Sequence, residues 1–562
     1  MPTITCYHRD LEILYTEKLS LQKLSEVLEK AKAEFKGYDE KTGEIKIEIV
    51  DTNRPDLWSA EGIARQLRES LLHKKSSYPF FSATPSGKDI IIVDKNMADI
   101  RPYIGGFFAS NIEVDEFLLT GLIQIQEKLT ENYGRSRELI AIGVHDASKI
   151  EFPLSYKGFS PKEISFSPLG FTEEMDLSEI LERHPKGQEY GRLVKNFSLY
   201  PVLQDAANKV LSFPPVINSN DLGRVVVGNK ALFVDITGTS LESVILCVNI
   251  MACNLSDRGA HIRPFMVEYP SSRHMTPQNL KQIVTLEQEY LEKILGEKVD
   301  PASIMEYLSF MGFSVSKEEN KLICESPPYR RDCLHSVDLI EDFAISRGYN
   351  TFSPEMPEKY TVGSMSPIIE FADTLRMLMT GMGFQEFITY ILTGKDKLFD
   401  KMNRPEGDVV EVANVMSDTY SVLRPTLLPV LLEIESKNLR VEFPHKIVEE
   451  GEVVIPAPKE ILRSKTLHNL SAIVSHSGAN FSEIHSYLHS LMFYLNIPYK
   501  LEETSDPAFI DGRAGKIISF NREVGIIGEI YPGVLENWGI MMPVAAFELT
   551  LDYNLVRSEK DF

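Results

Sequence analysis

The chain has 562 residues, of which 43% are hydrophobic and 25% are charged, and its formal net charge is −22. This length predicts roughly four domains, and the ordinary composition excludes extended disorder. The acidity excludes a surface that wraps nucleic acid over its whole extent, because phosphate binding needs positive charge. It leaves open a local RNA contact, or acidity that only keeps the chain soluble.

The cysteines and the N-terminus predict the compartment. The five cysteines are scattered and form no C-x-x-C pair, which is typical of free thiols in a reducing environment. The N-terminus, MPTITCYHRD, has no basic segment followed by an apolar run. No apolar stretch approaches the ~20 residues of a membrane span. We therefore expect a cytoplasmic protein that has no membrane contact.

The N-terminal half is expected to form two α+β domains. In residues 1–81, apolar spacing predicts helices at 21–31 and 63–71 and a strand at 45–49. The polar segment SATPSGK at 82–88 marks a boundary. Residues 82–268 are expected to form a larger domain in which LLTGLIQIQEKL is helical. Its predicted strands are IIIV, LIAIGV, RVVVG, ALFVDI and SVILCVNI.

Two further units are expected in the C-terminal half. Residues 269–352 predict a small domain with helices in LEQEYLEKIL and SIMEYLSFMGF and an acidic helix after Pro328. A Pro-rich linker at 350–363 precedes residues 364–562, where an amphipathic helix leads into one mostly antiparallel sheet flanked by helices. The predicted strands of this sheet are EFITYIL, KIVEEGEVVI, NLSAIVS, KIISF, VGIIGEI and VAAFELTLD.

Several common catalytic motifs are absent from the sequence. There is no P-loop, no H-E-x-x-H and no cysteine or histidine cluster with zinc spacing. His145 and Asp146 together could indicate a metal phosphohydrolase, but companion histidines at helical spacing are missing. A turn after a strand is therefore the favoured interpretation of this pair.

Eight short motifs are spread over nearly the whole chain. They are NRPD…EGIAR (53–65), RPYIGG (101–106), GRSRELIAIGVHD (134–146), HPKGQEYG (184–191), LSFPPVINS (211–219), PPYRRDCLHSVDLIEDFAI (327–345), VLRPTLLPVLL (422–432) and VGIIGEIYP (524–532). In this order they resemble the β chain of phenylalanyl-tRNA synthetases, specifically the shorter archaeal and eukaryotic type.

The resemblance implies an α2β2 heterotetramer that charges tRNA(Phe) with phenylalanine, in which the α chain performs the ATP-dependent chemistry. For this chain it implies an editing domain of the B3/B4 type at 82–268 and a small, winged-helix-like, metal-binding B5-type domain at 269–352. Residues 364–562 would have a class II synthetase fold without an active site. A class II active site needs a Gly-rich segment that ends in an arginine to hold ATP, and neither GRAGKI nor GIIGEI supplies that pattern. We therefore expect no adenylate formation by the isolated chain.

The editing domain is expected to hydrolyse tyrosine wrongly attached to tRNA(Phe). An apolar pocket rejects an added hydroxyl only about a hundredfold, so a second pocket that binds the hydroxyl is needed. The candidate pocket residues lie in LSFPPVINS and VDITGT and are Ser212, Pro214, Pro215, Asn218, Thr237 and Gly238. A rigid turn and a strand end are equally good interpretations of the two segments. No nucleophile–base pair is evident, which favours a positioned water.

A magnesium site is implied at the acidic helix. Asp338, Glu341 and Asp342 share one helix face, and Asp332 lies six residues earlier, near the expected helix start. Carboxylate oxygens are the ligands that Mg²⁺ prefers. The resemblance carries all four positions over as ligands of a structural ion. The alternative is a solvated acidic face with an N-cap.

Three other motifs permit two interpretations each. NRPD and GRSR could contact phosphate, but arginine–aspartate pairs that fix a loop are favoured. VLRPTLLPVLL is expected at the interface with the α chain, or else begins an internal helix after Pro425. The chain has no room for the added tRNA-binding and anticodon-binding modules of bacterial β chains. A non-catalytic scaffold and a free-standing deacylase remain alternatives for the whole protein.

Overall fold

The computed structural model describes residues 2–319 and 321–551. The chain divides into two units, Met1–Glu355 and Met356–Phe562. Within the described residues, no helix is long and apolar enough to cross a membrane.

The first unit begins with a small antiparallel sheet in the strand order β1-β3-β2. Its strands and helices are β1 (Thr3–Tyr7), α1 (His8–Tyr15), α2 (Leu21–Val27), β2 (Ala33–Asp39), β3 (Glu44–Ile49) and α3 (Ala60–Leu72). The alternating isoleucines Ile45, Ile47 and Ile49 are fully buried beneath the helices. The helix–strand–helix pattern predicted for this segment is confirmed.

A ten-stranded sheet follows, in the order β12-β11-β10-β7-β4-β14-β5-β13-β6, with β15 paired to β14. Its strands are β4 (Ile90–Val93), β5 (Tyr103–Ser110), β6 (Ile140–Asp146), β7 (Leu154–Phe159), β10 (Tyr200–Gln204), β11 (Val210–Phe213), β12 (Ile217–Asn218), β13 (Leu232–Gly238), β14 (His261–Glu268) and β15 (Arg273–Thr276). A separate pair is formed by β8 (Ser165–Phe166) and β9 (Met175–Asp176). The helices are α4 (Glu116–Lys128), α5 (Leu177–Arg183), α6 (Pro185–Tyr190) and α7 (Leu241–Asp257).

Two of the strands predicted for this region are wrong. The run SVILCVNI lies within α7, where every residue from Ser243 to Ile250 is buried. A helix that is covered on all sides is apolar all round, so its sequence shows no helical period and is easily taken for a buried strand. RVVVG at 224–228 forms a loop, and Val226 and Val227 are exposed.

The last part of the first unit contains a three-stranded antiparallel sheet in the order β16-β18-β17. Its elements are β16 (Ile283–Glu287), α8 (Gln288–Leu295), α9 (Pro301–Ser309), β17 (Ser314–Glu318), β18 (Lys321–Glu325) and α10 (Ser336–Arg347). The three predicted helices of this region are confirmed. A buried cluster that includes Leu291, Leu308 and Phe343 holds the helices to the sheet.

The second unit is built on a seven-stranded sheet in the order β19-β22-β23-β27-β26-β25-β24, antiparallel except at β19. The strands of this sheet are β19 (Gln385–Glu386), β22 (His445–Pro456), β23 (Ser464–Ser475), β24 (Lys500–Glu503), β25 (Phe509–Ser519), β26 (Arg522–Ile530) and β27 (Val544–Leu551). A separate pair is formed by β20 (Leu392–Thr393) and β21 (Val422–Leu423). The helices are α11 (Pro367–Gly381), α12 (Lys395–Leu398), α13 (Leu428–Lys437), α14 (Phe481–Tyr494) and α15 (Pro532–Trp538).

This sheet agrees with the sequence pattern except at EFITYIL, where only the two ends of the segment enter strands. Residues 552–562, the end of the domain predicted at 364–562, lie outside the described residues.

The motif VLRPTLLPVLL forms part of the second unit's own core. Helix α13 begins shortly after Pro425, and the Glu548 carboxylate accepts hydrogen bonds from the backbone N–H groups of Leu427 and Leu428, both at 2.9 Å. Leu431 and Leu432 are fully buried. The interpretation of these leucines as a subunit interface is therefore wrong, because their side chains already pack inside the unit. The internal helix start is confirmed.

Candidate functional site

A cavity of about 190 Å³ lies beside the ten-stranded sheet. Strands β6 and β13 are hydrogen-bonded neighbours and form one wall, and the segment from β11 to β12 forms another. Its lining residues are Gln126, Arg137, Ala141, Ile142, Gly143, Leu169, Lys186, Ser212, Pro214, Pro215, Val216, Ile217, Asn218, Asp235 and Thr237.

The structure brings almost all of the predicted pocket residues to this cavity. Ser212, Pro214, Pro215, Asn218 and Thr237 line it, although LSFPPVINS and VDITGT are separate in the sequence. Gly238 does not line it. A Cβ at Gly238 would lie 2.8 Å from the side chain of Val244, so this glycine allows β13 to pack closely against α7.

Ser212 and Thr237 have different hydrogen-bonding states in the cavity wall. Ser212 is 2% exposed, and its Oγ is buried without a hydrogen-bond partner. Thr237 Oγ1 accepts a hydrogen bond from Nε of the buried Arg101 at 2.9 Å, and burial lowers the pKa of Arg101 to about 10. The threonine hydroxyl is thus fixed by the protein, whereas the serine hydroxyl has unused hydrogen-bonding capacity.

Asp235 brings a buried carboxylate to the cavity. Its Oδ1 lies 2.6 Å from Nε2 of His145, which is fully buried behind it. Among the described residues, no other hydrogen bond reaches the Asp235 side chain, so Oδ2 remains available to a ligand. A Cβ at Gly143 would lie 2.7 Å from Nε2 of His145, so only glycine leaves room for this pair.

Two cationic side chains, Arg137 and Lys186, also line the cavity. Arg137 Nη1 donates to the carbonyl oxygens of Pro215 and Val216 at 3.0 and 2.9 Å, and its guanidinium lies 3.9 Å from the centre of the Tyr190 ring. Residues 135–137 all have positive φ, which is a strained conformation for residues other than glycine. Strain of this kind is concentrated at functional sites.

Several polar groups at this cavity are not among the predicted residues, including Asp235 and Arg137 of the lining and His145, which lies behind Asp235. Asp235 lies within VDITGT, but only its neighbours were selected. Arg137 lies in GRSR, which was interpreted as a loop-fixing motif; it does fix the 215–216 backbone, and it lines the cavity as well. His145 was considered only together with Asp146, which ends β6 and caps the next turn through Ser148. Both β6 and β13 were predicted as strands. Aligning them as neighbours in one sheet could have placed Asp235 opposite Gly143.

The four predicted magnesium ligands have several different partners. Arg330 is fully buried and donates to Asp332 and Asp342, with Nη2 2.7 Å from Asp342 Oδ2. Lys32 Nζ lies 3.1 Å from Asp342 Oδ1 and 3.0 Å from Glu341 Oε2. Burial alone would raise the pKa of Asp332, but Arg330 and Arg54 hold it well below its usual range.

Asp338 is used differently from the other three. Helix α10 begins at Ser336, and Oδ2 of Asp338 accepts the backbone N–H groups of Leu334 and His335 at 2.7 and 2.8 Å. Asp338 therefore completes a capping box at the helix start. Of the two alternatives for Asp332, a helix cap or a carboxylate turned toward the acidic face, the cap is wrong, because the carboxylate is bound to Arg330.

These residues fit a magnesium ion only in part. Among the described residues, the one group whose ligand atoms converge is Asp332, Cys333 and Asp342, within 4.8 Å of one another. A thiol is a poor ligand for Mg²⁺. Asp338 and Glu341 are the more accessible carboxylates, but they are used for the helix cap and for Lys32.

The motif NRPD also has an internal role. Arg54 is buried and donates through Nε and Nη2 to both oxygens of Asp56, each at 2.8 Å. This confirms the interpretation of an arginine–aspartate pair that fixes a loop.

Family models match most of the C-terminal half. Residues 353–551 match the model described as the phenylalanyl tRNA synthetase β chain CLM domain. Residues 284–349 match the model of the tRNA synthetase B5 domain. The two matches define a chain of the tRNA synthetase class.

Curated relatives match the full length. The phenylalanine–tRNA ligase β subunit of Pyrococcus furiosus is 40% identical over 98% of this chain and 99% of its own length. That of Borreliella burgdorferi strain ZS7 is 39% identical over 95% of this chain and 96% of its own. The crystal structure of an N-terminal fragment of the phenylalanyl-tRNA synthetase β-subunit from Pyrococcus horikoshii is 38% identical, with a TM-score of 0.59, and covers 62% of this chain and 100% of the fragment.

The chain therefore belongs to the family of phenylalanine–tRNA ligase β subunits, as the sequence motifs predicted. It is a ligase subunit that takes part in tRNA charging, and membership of this family implies an α-subunit partner and tRNA binding.

Proposed function

We propose that the chain supports ATP-dependent charging of tRNA(Phe) by an α subunit, within an α2β2 heterotetramer, and removes tyrosine wrongly attached to that tRNA. The observation that carries the editing function is the cavity at β6 and β13, because it holds polar groups with unused hydrogen-bonding capacity. Ser212 Oγ is buried without a partner among the described residues, and Asp235, which lines the same cavity, has a carboxylate oxygen that no described hydrogen bond uses.

These groups suit the hydroxyl that distinguishes tyrosine from phenylalanine. A phenol can donate its proton to Asp235 Oδ2 and accept from Ser212 Oγ. A phenylalanine ring would leave both groups buried and unpaired, which costs about 1–3 kcal/mol for each. A site of this kind rejects the analogue that lacks the hydroxyl much more strongly than an apolar pocket can reject an added one.

A water is the proposed nucleophile for the ester bond between the amino acid and the tRNA. Within the described lining there is no cysteine and no histidine, and no hydrogen bond joins Ser212 Oγ to a group that could take its proton. Asn218 and Gln126 are neutral amide side chains of the lining that can orient a water. Its attack on the ester carbon releases free tyrosine and returns the proton to the 3′-terminal ribose oxygen of the tRNA.

Binding of the tRNA end is assigned to the cationic part of the cavity. Arg137 and Lys186 lie in a chain that is otherwise strongly acidic, and both line the cavity. Such groups bind phosphate oxygens without reading sequence. The local RNA contact left open by the charge of the chain is thus proposed here.

In the second unit, we propose a class II synthetase-like fold without an active site. In support, GRAGKI lies within β25 and GIIGEI within β26, two strands that pair antiparallel with register shifts between Phe509 and Ala514 and after Ile517. ATP–pyrophosphate exchange by the purified chain alone would contradict this. For the first unit, we likewise propose an editing-type domain and a winged-helix-like domain, and the cytoplasmic location stays a prediction.

A magnesium ion at Asp332, Asp338, Glu341 and Asp342 also remains a proposal. An ion there would compete with Arg330 and Lys32 for the same oxygens. If bound, it would supply positive charge that holds the start of α10, a structural rather than a catalytic contribution.

The test of the proposed function uses the complex gently purified with its natural partner chain. We expect equal amounts of this chain and an α chain, phenylalanine charging, and hydrolysis of Tyr-tRNA(Phe) well above the spontaneous rate while Phe-tRNA(Phe) is retained. A complex that charges phenylalanine but leaves Tyr-tRNA(Phe) intact would mean that the chain is a scaffold. A lone monomer with deacylase activity would support the free-standing enzyme instead.

A further inference from the structure

His145 is a buried histidine that the proposed hydrolysis does not use. It lies two residues beyond Gly143 on the same face of β6, and Asp235 is directly opposite Gly143 on β13. Its side chain is fully buried, and no described residue forms a hydrogen bond with its Nδ1. Within the described part of the chain, its one hydrogen bond is with Asp235 Oδ1, at 2.6 Å.

The imidazole of His145 restrains one oxygen of the Asp235 carboxyl group. Its Nε2 lies 2.6 Å from Oδ1, and the Phe233 ring packs near the imidazole, with the two ring centres 6.1 Å apart. The imidazole thus anchors Oδ1, whereas Oδ2 has no hydrogen bond from the described residues and belongs to a side chain that lines the cavity.

We infer that His145 is the positioning residue that makes the site specific for tyrosine, by fixing the rotamer of Asp235 so that Oδ2 accepts the phenol proton. This inference rests on the proposed editing function and adds a selectivity device to it. His145 does not touch the substrate and acts only through Asp235.

Loss of the imidazole would change the carboxyl group in two ways. The χ1 and χ2 rotations of Asp235 would no longer be restrained by the 2.6 Å hydrogen bond with His145. Oδ1 would also be left buried without a hydrogen-bond partner, which costs free energy unless the carboxyl group reorients. Both changes weaken the hydrogen bond to a tyrosine hydroxyl, while a phenylalanine ring, which makes no such bond, is unaffected.

The test measures kcat and KM for deacylation of Tyr-tRNA(Phe) and Phe-tRNA(Phe) by the assembled ligase. His145→Leu has a similar volume but no donor, and we expect its kcat/KM for Tyr-tRNA(Phe) to fall at least tenfold. Its slow hydrolysis of Phe-tRNA(Phe) should stay within twofold of wild type. His145→Gln keeps an N–H donor at a similar distance and should recover a part of the loss.

A double-variant cycle separates positioning from general damage to the fold. If His145 acts through Asp235, adding His145→Leu to Asp235→Asn should change the remaining activity by less than twofold. Phenylalanine charging by each variant confirms that the complex is assembled.

Two outcomes would overturn the inference in distinguishable ways. If wild type discriminates between the two tRNAs and His145→Leu keeps the same ratio, the inference fails and the editing function stands. If the effects of His145→Leu and Asp235→Asn add in the double variant, the inference likewise fails and the editing function stands. If wild type hydrolyses neither tRNA, the proposed function fails and the inference falls with it.

Discussion

Buried acidic groups occur both in the cavity at β6 and β13 and in the carboxylate cluster before and within α10. The two sites differ in the partners that these acidic groups have. In the cluster, Arg330 and Lys32 reach the oxygens of Asp332, Asp342 and Glu341. In the cavity, Asp235 keeps a free oxygen and Ser212 Oγ has no partner. Buried polar groups are nearly always paired, so unpaired ones beside an open space indicate where a ligand binds. Buried carboxylates that contact internal cations, as Asp332 and Asp342 do, indicate a structural role instead.

The largest expected effect tests the structural role of the cluster. Replacing Arg330 by Met leaves two buried carboxylates without their shared cation, which should destabilise the first unit by about 3–5 kcal/mol. Urea unfolding of the assembled ligase measures this change. The matched control is Arg273→Met, since Arg273 is an exposed arginine with a surface ion pair. Equal stability of the two variants would contradict the structural interpretation.

The second effect tests the functional role of the cavity. Asp235→Asn removes the anionic acceptor, and the rate of Tyr-tRNA(Phe) deacylation should fall about a hundredfold, the effect of one buried polar group left poorly paired. Phenylalanine charging should be unchanged. Asp221→Asn is the control, because this aspartate is exposed. An editing rate within twofold of wild type would place the recognition of tyrosine elsewhere.

A third comparison lies within the cavity wall itself. Ser212→Ala removes an unpaired hydroxyl and should slow deacylation about tenfold without loss of stability. Thr237→Val removes the acceptor of Arg101 and should destabilise the protein by about 1–3 kcal/mol. Thermal unfolding and deacylation are measured on both variants, with exposed Ser271→Ala as the control. A destabilised Ser212→Ala would show that its hydroxyl has a structural partner after all.

The smallest effect concerns magnesium. Mg²⁺ at ten times its Kd should stabilise the ligase by about 1.4 kcal/mol if it binds only the folded chain. The double variant Asp338→Asn/Glu341→Gln should lose this gain, as seen in the unfolding midpoint with and without EDTA. If Mg²⁺ does not change the unfolding midpoint of wild type, the carboxylates of the cluster are paired only with the internal cations.

Much of the architecture was predictable because local patterns agree with the fold. Alternating apolar residues predicted β3, and capped amphipathic segments predicted α4 and α11. The failures have physical causes. Helix α7 is buried on all sides, which removes the helical period. The leucines of α13 were assigned to a partner chain, although the sheet of the same unit covers them.

The candidate site was predictable only where residue type alone was informative. The prolines, Ser212 and Thr237 were chosen because they fix backbone or offer hydroxyls. Asp235 and His145 become meaningful only through the pairing of β6 with β13, since 90 residues separate them in the chain. Side-chain contacts of this kind depend on strand register, which composition and periodicity do not supply.

The most direct test of the central claim is equilibrium binding to the cavity. Stable analogues of the charged tRNA end, in which tyrosine or phenylalanine is joined to adenosine through an amide, are titrated into the assembled ligase by calorimetry, with the α-chain site saturated by phenylalanine and ATP. We predict that the tyrosyl analogue binds at least tenfold more tightly than the phenylalanyl one, and that Asp235→Asn abolishes the difference. Equal affinities for wild type would contradict the claim that the unpaired groups of the cavity recognise tyrosine.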